Sequence, residues 1–219
     1  MGRLAKLAAY ATEEAVTLAF GSVEAARELF DSGRCGLAYG STVGSSAAFE
    51  NFSHTLFREQ AVRSVNGSLF LQFMPHTCAA NLAQFFGIKG RVLPTCSACT
   101  SASQGVGVGF ETIKHGLADV MLCGGAEEMH YSLAVTFDAM LATSSHFNKA
   151  PGSTPRPFDG QRDGLVVGEG AGTLVLESRE HAEARGAEIL AEVLGYGTNC
   201  DGLHLTAPSQ AGRRGAMAL

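Results

Sequence analysis

The sequence predicts an α/β fold with a mainly parallel sheet and helices on both of its faces. Three observations carry that reading. Two short apolar runs, residues 35–39 and 120–123, are continuous rather than alternating, as expected of strands covered on both sides. Helical segments stand before, between and after them, so helix and strand alternate along the chain. Glycine is abundant, 27 of 219 residues, which suits close packing with many tight turns.

Composition narrows the classes. With 46% hydrophobic and 17% charged residues, the chain is globular in character and long enough for one sizeable core. A net charge of −5 speaks against a nucleic-acid partner. Nothing resembles a signal peptide, and no apolar run reaches membrane-spanning length, so no membrane association is expected. Six scattered cysteines without an evident framework fit a reducing, cytoplasmic setting.

Each element follows from local pattern. Leu4, Leu7, Ala8, Ala11, Ala15 and Leu18 mark an amphipathic helix over 4–20. Ser22 can cap a second helix over 23–30, with Gly33 beyond its end. The strand 35–39 runs into a small-residue loop, 40–46, and then a helical segment through Phe49, Phe52 and Leu56. The aromatic stretch 61–73 lacks a clear period and is expected as an irregular loop or an edge element. Pro75 opens a helix through Ala79, Leu82 and Phe85 that stops at Gly87. The strand 120–123 ends in Gly124 and Gly125, where backbone must approach something closely. Residues 144–160 hold three of the six prolines and read as a loop. Residues 165–167 and 172–177 read as strand segments flanking GEGAG, which opens no helix and so is not read as a phosphate loop. Ser178 caps a polar helix ending near Gly186, and 189–196 returns as a strand.

The stretch 92–109, VLPTCSACTSASQGVGVG, is the one the chain is organised around. Strand-like residues 92–95 enter a run of small residues, and an apolar segment continues through Gly105, Val108, Phe110 and Ile113 toward Gly116. This reads as strand, tight turn and helix. A nucleophile at such a turn points out of the sheet at a helix N-terminus, where unpaired N–H groups and the helix dipole favour negative charge. A cysteine gains thiolate character there, and Cys99 is the residue so placed. Cys96 and Cys99 also form a CxxC pair, but a zinc site needs a second ligand pair, and Cys35, Cys78, Cys123 and Cys200 are scattered singly. Cys78, Cys96 and Cys123 are expected as buried packing residues.

SACTSAS at 97–103, DVMLCGGAEEM at 119–129 and RPFDGQRDGLVVGEGAGTLVLE at 156–177 occur in that order. Together they resemble the β-ketoacyl-[acyl carrier protein] synthases, condensing enzymes of the thiolase-like superfamily. The resemblance runs from about residue 8 onward. GLAYGSTVGSS at 36–46, HTCAANLAQFFGIKGRVLPT at 76–95 and FDAMLATS at 137–144 look most like synthases of aryl polyene pathways. The resemblance implies a thiolase-like layered αβαβα architecture, here incomplete and mostly the N-terminal half. It implies that Cys99 accepts an acyl chain from the phosphopantetheine arm of an acyl carrier protein. Malonyl-carrier protein then loses carbon dioxide, and the carbanion attacks the thioester, in fatty acid or polyene synthesis. No cofactor and no metal are implied. The implied partners are the carrier protein with its acyl and malonyl groups, and a second synthase subunit in a homodimer or heterodimer.

By the same resemblance, Val43 matches the position that gates the acyl pocket, and Phe137 matches an aromatic near the nucleophile. Leu69 falls where the family sends a residue toward the neighbouring subunit's pocket. Thr206, in the HLTAP segment with His204, matches a wall near the pantetheine entrance. For each of these residues plain core packing is the competing reading. Glu127 and Glu128 can either buttress the turn after the double glycine or stand in solvent. The family's GTGT-type and GHT-type histidine motifs and its Gly- and Phe-rich loop are not in this sequence. Residues 1–219 are therefore expected to be a single ketosynthase-domain fragment, truncated at both ends and inactive by itself. An inactive fragment or non-catalytic partner subunit, or a thiolase-like coenzyme A acyltransferase, is the alternative. The 156–177 motif favours the synthase, and Cys99 argues against a partner lacking the nucleophile.

Overall fold

A computed structural model describes residues 1–204 and 209–217. Helix α1 (Arg3–Phe20) buries Leu4, Ala5, Ala8, Ala9, Thr12 and Val16, one face of the expected amphipathic pattern. The second helix is shorter than its pattern suggests: the Ser22 hydroxyl accepts from the Ala25 N–H at 3.1 Å, but only α2 (Arg27–Asp31) is helical. Strand β1 (Cys35–Gly40) is buried throughout. Helix α3 (Ser46–Ser53) is capped by Ser45, which accepts from the Ala48 N–H at 3.2 Å, and continues as a π turn over His54–Arg58.

The stretch 61–73 departs from expectation. Its second half is a helix, α4 (Gly67–Phe73), capped by Asn66 through the Ser68 N–H at 2.9 Å. Two turns are too short to show a period, and a lone helix of that length is unstable. Packing supplies the difference: the Phe73 ring meets those of Phe49, Phe52 and Phe70 at 5.3, 5.4 and 5.1 Å. Helix α5 (Thr77–Phe86) stops at Gly87, whose φ is 71°. Then come β2 (Val92–Pro94), α6 (Ser101–Lys114), β3 (Val120–Glu127) and α7 (Tyr131–Ala139). Last are β4 (Gly170–Glu177), α8 (Arg179–Ala184), capped by Ser178, and α9 (Gln210–Met217).

Two expected strands are corrected. Residues 165–167 make only a single bridge, Leu165 with Thr143. Beyond it, Glu169 bonds away from the sheet: its carboxylate is held down at about 2 by hydrogen bonds from Arg3 and from the Met129 N–H. Residues 189–196 form no strand. Leu190 and Leu194 are 88% and 86% exposed, while Tyr196 folds over Gly107 of α6. Apolar sequence can suit a strand, but a ladder needs a neighbour's free edge.

Among the described residues the sheet has the order β2-β1-β3-β4. β1 is parallel to β2 and β3, with Leu37 opposite Val92 and Leu122; β4 runs antiparallel to β3, with Val175 opposite Leu122. The sheet is thus mixed at one edge. Helices α1 and α5 cover one face, over Leu37, Tyr39, Val120 and Leu122. Helix α6 covers the other, over Ala38, Met121 and Cys123. It lies so close that a Cβ on Gly105 would stand 2.7 Å from the Ala38 carbonyl oxygen.

Gly40, the last residue of β1, is a very tight point at the carboxyl end of the parallel strands. A Cβ there would run into the Thr95 carbonyl oxygen and reach the Ser101 Cβ at 2.8 Å. The obstacle is backbone, which no rotamer change relieves. Gly40→Ala should therefore cost about 3 kcal/mol, as overpacking does when the backbone must shift. Urea unfolding should show a lower midpoint at unchanged slope. A loss below about 1 kcal/mol would mean that β1 and the Cys99 turn are free to part.

Candidate active site

Parallel strands β1, β2 and β3 all end on the same side of the sheet, at Gly40, Pro94 and Glu127. In open α/β sheets ligands bind beyond those carboxyl ends. Cys99 lies there, exposed, in a 3-10 turn over Ala98–Thr100 that runs straight into α6. The strand-turn-helix reading of 92–116 therefore holds.

The turn is tied from within. The buried Ser101 hydroxyl accepts from the Ser97 N–H at 2.9 Å and donates to the Ala98 carbonyl at 2.7 Å. It also lies 3.4 Å from the Ser41 carbonyl, joining the β2 and β1 loops. Thr100 donates its hydroxyl to the Ser97 carbonyl at 2.9 Å. Between them Ala98 has φ of 53°, a left-handed conformation that costs a non-glycine residue on the order of 1–2 kcal/mol. The hydroxyl ties hold this strained turn, which carries the Cys99 side chain on its outer side.

Two carboxylates brace the neighbouring loops. Glu127 accepts from the Thr42 N–H at 2.8 Å. Glu128 is 1% exposed and accepts from the Leu4 N–H at 3.2 Å, the Ser45 hydroxyl at 2.9 Å and the Ala47 N–H at 3.2 Å. Of the two readings open from sequence, the buttress is the one the structure adopts. Glu128 gathers the start of α1, the cap of α3 and the end of β3 onto one buried carboxyl group, whose oxygens these donors satisfy.

The cysteines separate into two groups. Burial pushes the thiols of Cys35, Cys78 and Cys123 up to about 12, so they are inert at neutral pH. Cys96, Cys99 and Cys200 are exposed. The expectation that Cys96 is a buried packing residue is corrected: β2 is the outer strand of the described sheet, and while Thr95 after it stays buried, Cys96 turns out to solvent.

Val43, 38% exposed in the loop after β1, lines a cleft of about 360 Å³ with Phe49, Phe73, Ser132, Leu133 and Thr136. Leu69, half-buried on α4, and Phe137, half-buried on α7, share helices with the lining residues Phe73 and Thr136 but do not line the cleft themselves. Cys99 is not among its lining residues either. Thr206 lies outside the described residues, and its neighbour His204 is exposed. Sequence reasoning missed Ser101, and it missed Ser132, Leu133 and Thr136. The last three fall at i, i+1 and i+4, one face of a helix, but that pattern alone does not separate a cleft wall from core.

Comparison with known proteins adds the lineage. The family model "Beta-ketoacyl synthase, N-terminal domain" matches residues 1–182. The chain belongs to the β-ketoacyl synthase family. Over 190 residues it is 38% identical to a 3-oxoacyl-[acyl-carrier-protein] synthase 2 of Vibrio cholerae, covering 86% of this chain and 45% of that protein. A polyketide β-ketoacyl synthase 1 assigned in Streptomyces cyaneus is 38% identical over 193 residues, covering 85% and 45%. A crystal structure of a β-ketoacyl synthase from Burkholderia phymatum superposes with a TM-score of 0.89 at 44% identity, over all of this chain and 52% of that one. A type II polyketide ketosynthase in complex with its acyl-carrier protein superposes with a TM-score of 0.67 at 25% identity, over 81% and 47%. The layered architecture is thus that of the thiolase-like synthases, and the chain spans about half the length of the curated relatives it matches.

The thiol assignment is open to direct test. Limiting iodoacetamide at neutral pH, followed by peptide mass spectrometry, should modify Cys99 first and leave Cys35, Cys78 and Cys123 unmodified until the chain is unfolded. Earlier modification of Cys96 or Cys200 would contradict the expectation that Cys99 is the most reactive thiol.

Proposed function

We propose that this chain carries the nucleophile half of a β-ketoacyl-acyl carrier protein synthase, with residues 1–219 forming one domain. The observation that carries this is Cys99, exposed on a strained, hydroxyl-tied turn at the start of α6, in a chain of this family. The Cys99 thiolate attacks the carbonyl of an acyl thioester on the carrier protein's phosphopantetheine. The acyl carbon bonds to Cys99 sulfur and the carrier thiolate leaves. Malonyl-carrier protein then loses carbon dioxide. Its carbanion attacks the Cys99 thioester, a carbon–carbon bond forms, and the Cys99 thiolate is released. The Cys99 backbone N–H is the candidate oxyanion donor. Val43 gates the acyl cleft, with Leu69 and Phe137 near its walls, and Thr206 belongs to the pantetheine entrance. The pathway is fatty acid or polyene synthesis in the cytoplasm; among the described residues no helix is long and apolar enough to cross a membrane.

Acyl-carrier protein incubated with the purified chain should leave a thioester adduct on Cys99, detected by intact and peptide mass spectrometry. Cys99→Ala should abolish it. The second, condensing step should not occur with this chain alone, because the GTGT-type and GHT-type histidine motifs of the family are not in its sequence. Acylation that survives Cys99→Ala, or β-ketoacyl product from the chain alone, would defeat this reading.

The same proposal includes a dimer with a second synthase subunit. β2 is the outer strand of the sheet, and α4 exposes Phe70 and Leu71 at 45% and 55% beside half-buried Leu69. The Phe70 and Phe73 rings pack in the chain's own aromatic cluster, so the proposed contact centres on Leu71, which has no ring contact there. Leu71→Asp should raise the dimer dissociation constant by about tenfold or more in sedimentation velocity. A wild-type chain that is monomeric at high concentration would exclude the dimer.

A further inference from the structure

Helix α7 forms one wall of the cleft, yet it has no buried residue. Packing therefore does little to hold it, since a helix is normally fixed by the apolar face it buries. Tyr131 and Val135 are 62% and 64% exposed. What joins α7 to the opposite wall, α3, is a set of hydrogen bonds to one carboxylate. Tyr131 donates its hydroxyl to Glu50 Oε1 at 2.5 Å, and His130 Nε2 lies 3.1 Å from Glu50 Oε2. On its other side His130 Nδ1 accepts from the Ser132 N–H at 3.3 Å and lies 2.8 Å from the Ser132 hydroxyl. An Nδ1 that accepts leaves the ring proton on Nε2, where it donates to Glu50. His130 is thus both the cap of α7 and a link to α3, and its side chain is only 11% exposed. Helix capping alone accounts for the Nδ1 contacts. It does not account for the Glu50 contacts, which use both carboxylate oxygens.

The position of this clamp relative to the cleft gives it meaning. Glu50 follows Phe49 on α3, and Tyr131 precedes Ser132 on α7; Phe49 and Ser132 both line the cleft. The clamp lies one residue from the lining on each side. We propose that Glu50 is a positioning residue that sets the separation of α7 from α3, and thereby limits the length of acyl group the cleft admits. The specificity half of this proposal rests on the acyl-transfer reading of Cys99; the positioning half does not. The Glu50 carboxyl is held below its ordinary range by the Tyr131 and His130 hydrogen bonds, so the clamp is charged at neutral pH. With the clamp intact, α7 stays against the rim and long chains are excluded. With it broken, α7 is held by its part-buried Leu133, Ala134 and Phe137 alone, and the cleft can widen.

The test uses the full chain as wild type, Glu50→Ala and Tyr131→Phe, the last removing one bond while keeping the ring. Hydrogen exchange should rise by about fivefold or more across residues 131–139 in Glu50→Ala, and less in Tyr131→Phe. Cys99 loading from short-, medium- and long-chain acyl N-acetylcysteamine thioesters should shift toward the long members by about threefold or more, with the iodoacetamide rate at Cys99 unchanged. A merely structural loss would lower loading for all chain lengths alike and leave their ratio where it was, which would overturn the specificity claim. Unchanged exchange in α7 would overturn the clamp. If wild type loads no thioester at all, the acyl-transfer reading fails, and with it the specificity half, while the exchange result still decides the positioning half. Should Glu50→Ala not fold, as judged by circular dichroism, Tyr131→Phe carries both measurements.

Discussion

The close approach of three backbone segments at Gly40 is the constraint on which the site depends. The end of β1, the Thr95 carbonyl after β2 and Ser101 at the start of α6 meet where only a residue without a side chain fits. That contact brings the loop bearing Val43 and the turn bearing Cys99 to the same end of the sheet. The Ser101 hydroxyl then closes the turn on itself and on the β1 loop. A side chain placed this way owes its position to main-chain packing more than to its own contacts. This allows Cys99 to remain exposed and yet well placed.

Buried and bridging carboxylates do for the loops what packing does for the strands. Glu128 is nearly sealed from solvent and collects N–H and hydroxyl donors from α1, α3 and the intervening cap. Removing such a group would strand those donors, which costs more than the bonds themselves contribute. Glu127 holds the β1 loop through Thr42. Glu50 works nearer the surface, where it joins two helices that share little packing. The three differ in burial: Glu128 is sealed inside, while Glu50 stands at the surface beside the cleft.

Much of the fold was legible in the sequence because it is local. The strands at 35–39 and 120–123, the long first helix, the stop at Gly87 and the turn at Cys99 each follow from a residue pattern within one element. The errors share a cause. Helix α4 is stabilised by rings contributed from α3, so its own seven residues carry too little signal. The stretch 189–196 has strand-like composition but no ladder among the described residues. Cys96 looked like core because it stands in an apolar segment, and its exposure follows from its place after β2, the outer strand of the described sheet.

The sequence by itself determined the alternation of helix and strand, the strand-turn-helix that carries Cys99, and the motifs by which the chain joins its family. These depend on backbone preference and on periodicity over a few residues, which any single sequence displays. Only the tertiary structure decided that Glu128 is a buried buttress, that Ser101 ties two loops, and that Val43, Phe49 and Ser132 share one cleft. It also decided that His130, a histidine with no motif of its own, meets Glu50 eighty residues away. Those facts are contacts between distant segments, and they arise from how the layers close on each other.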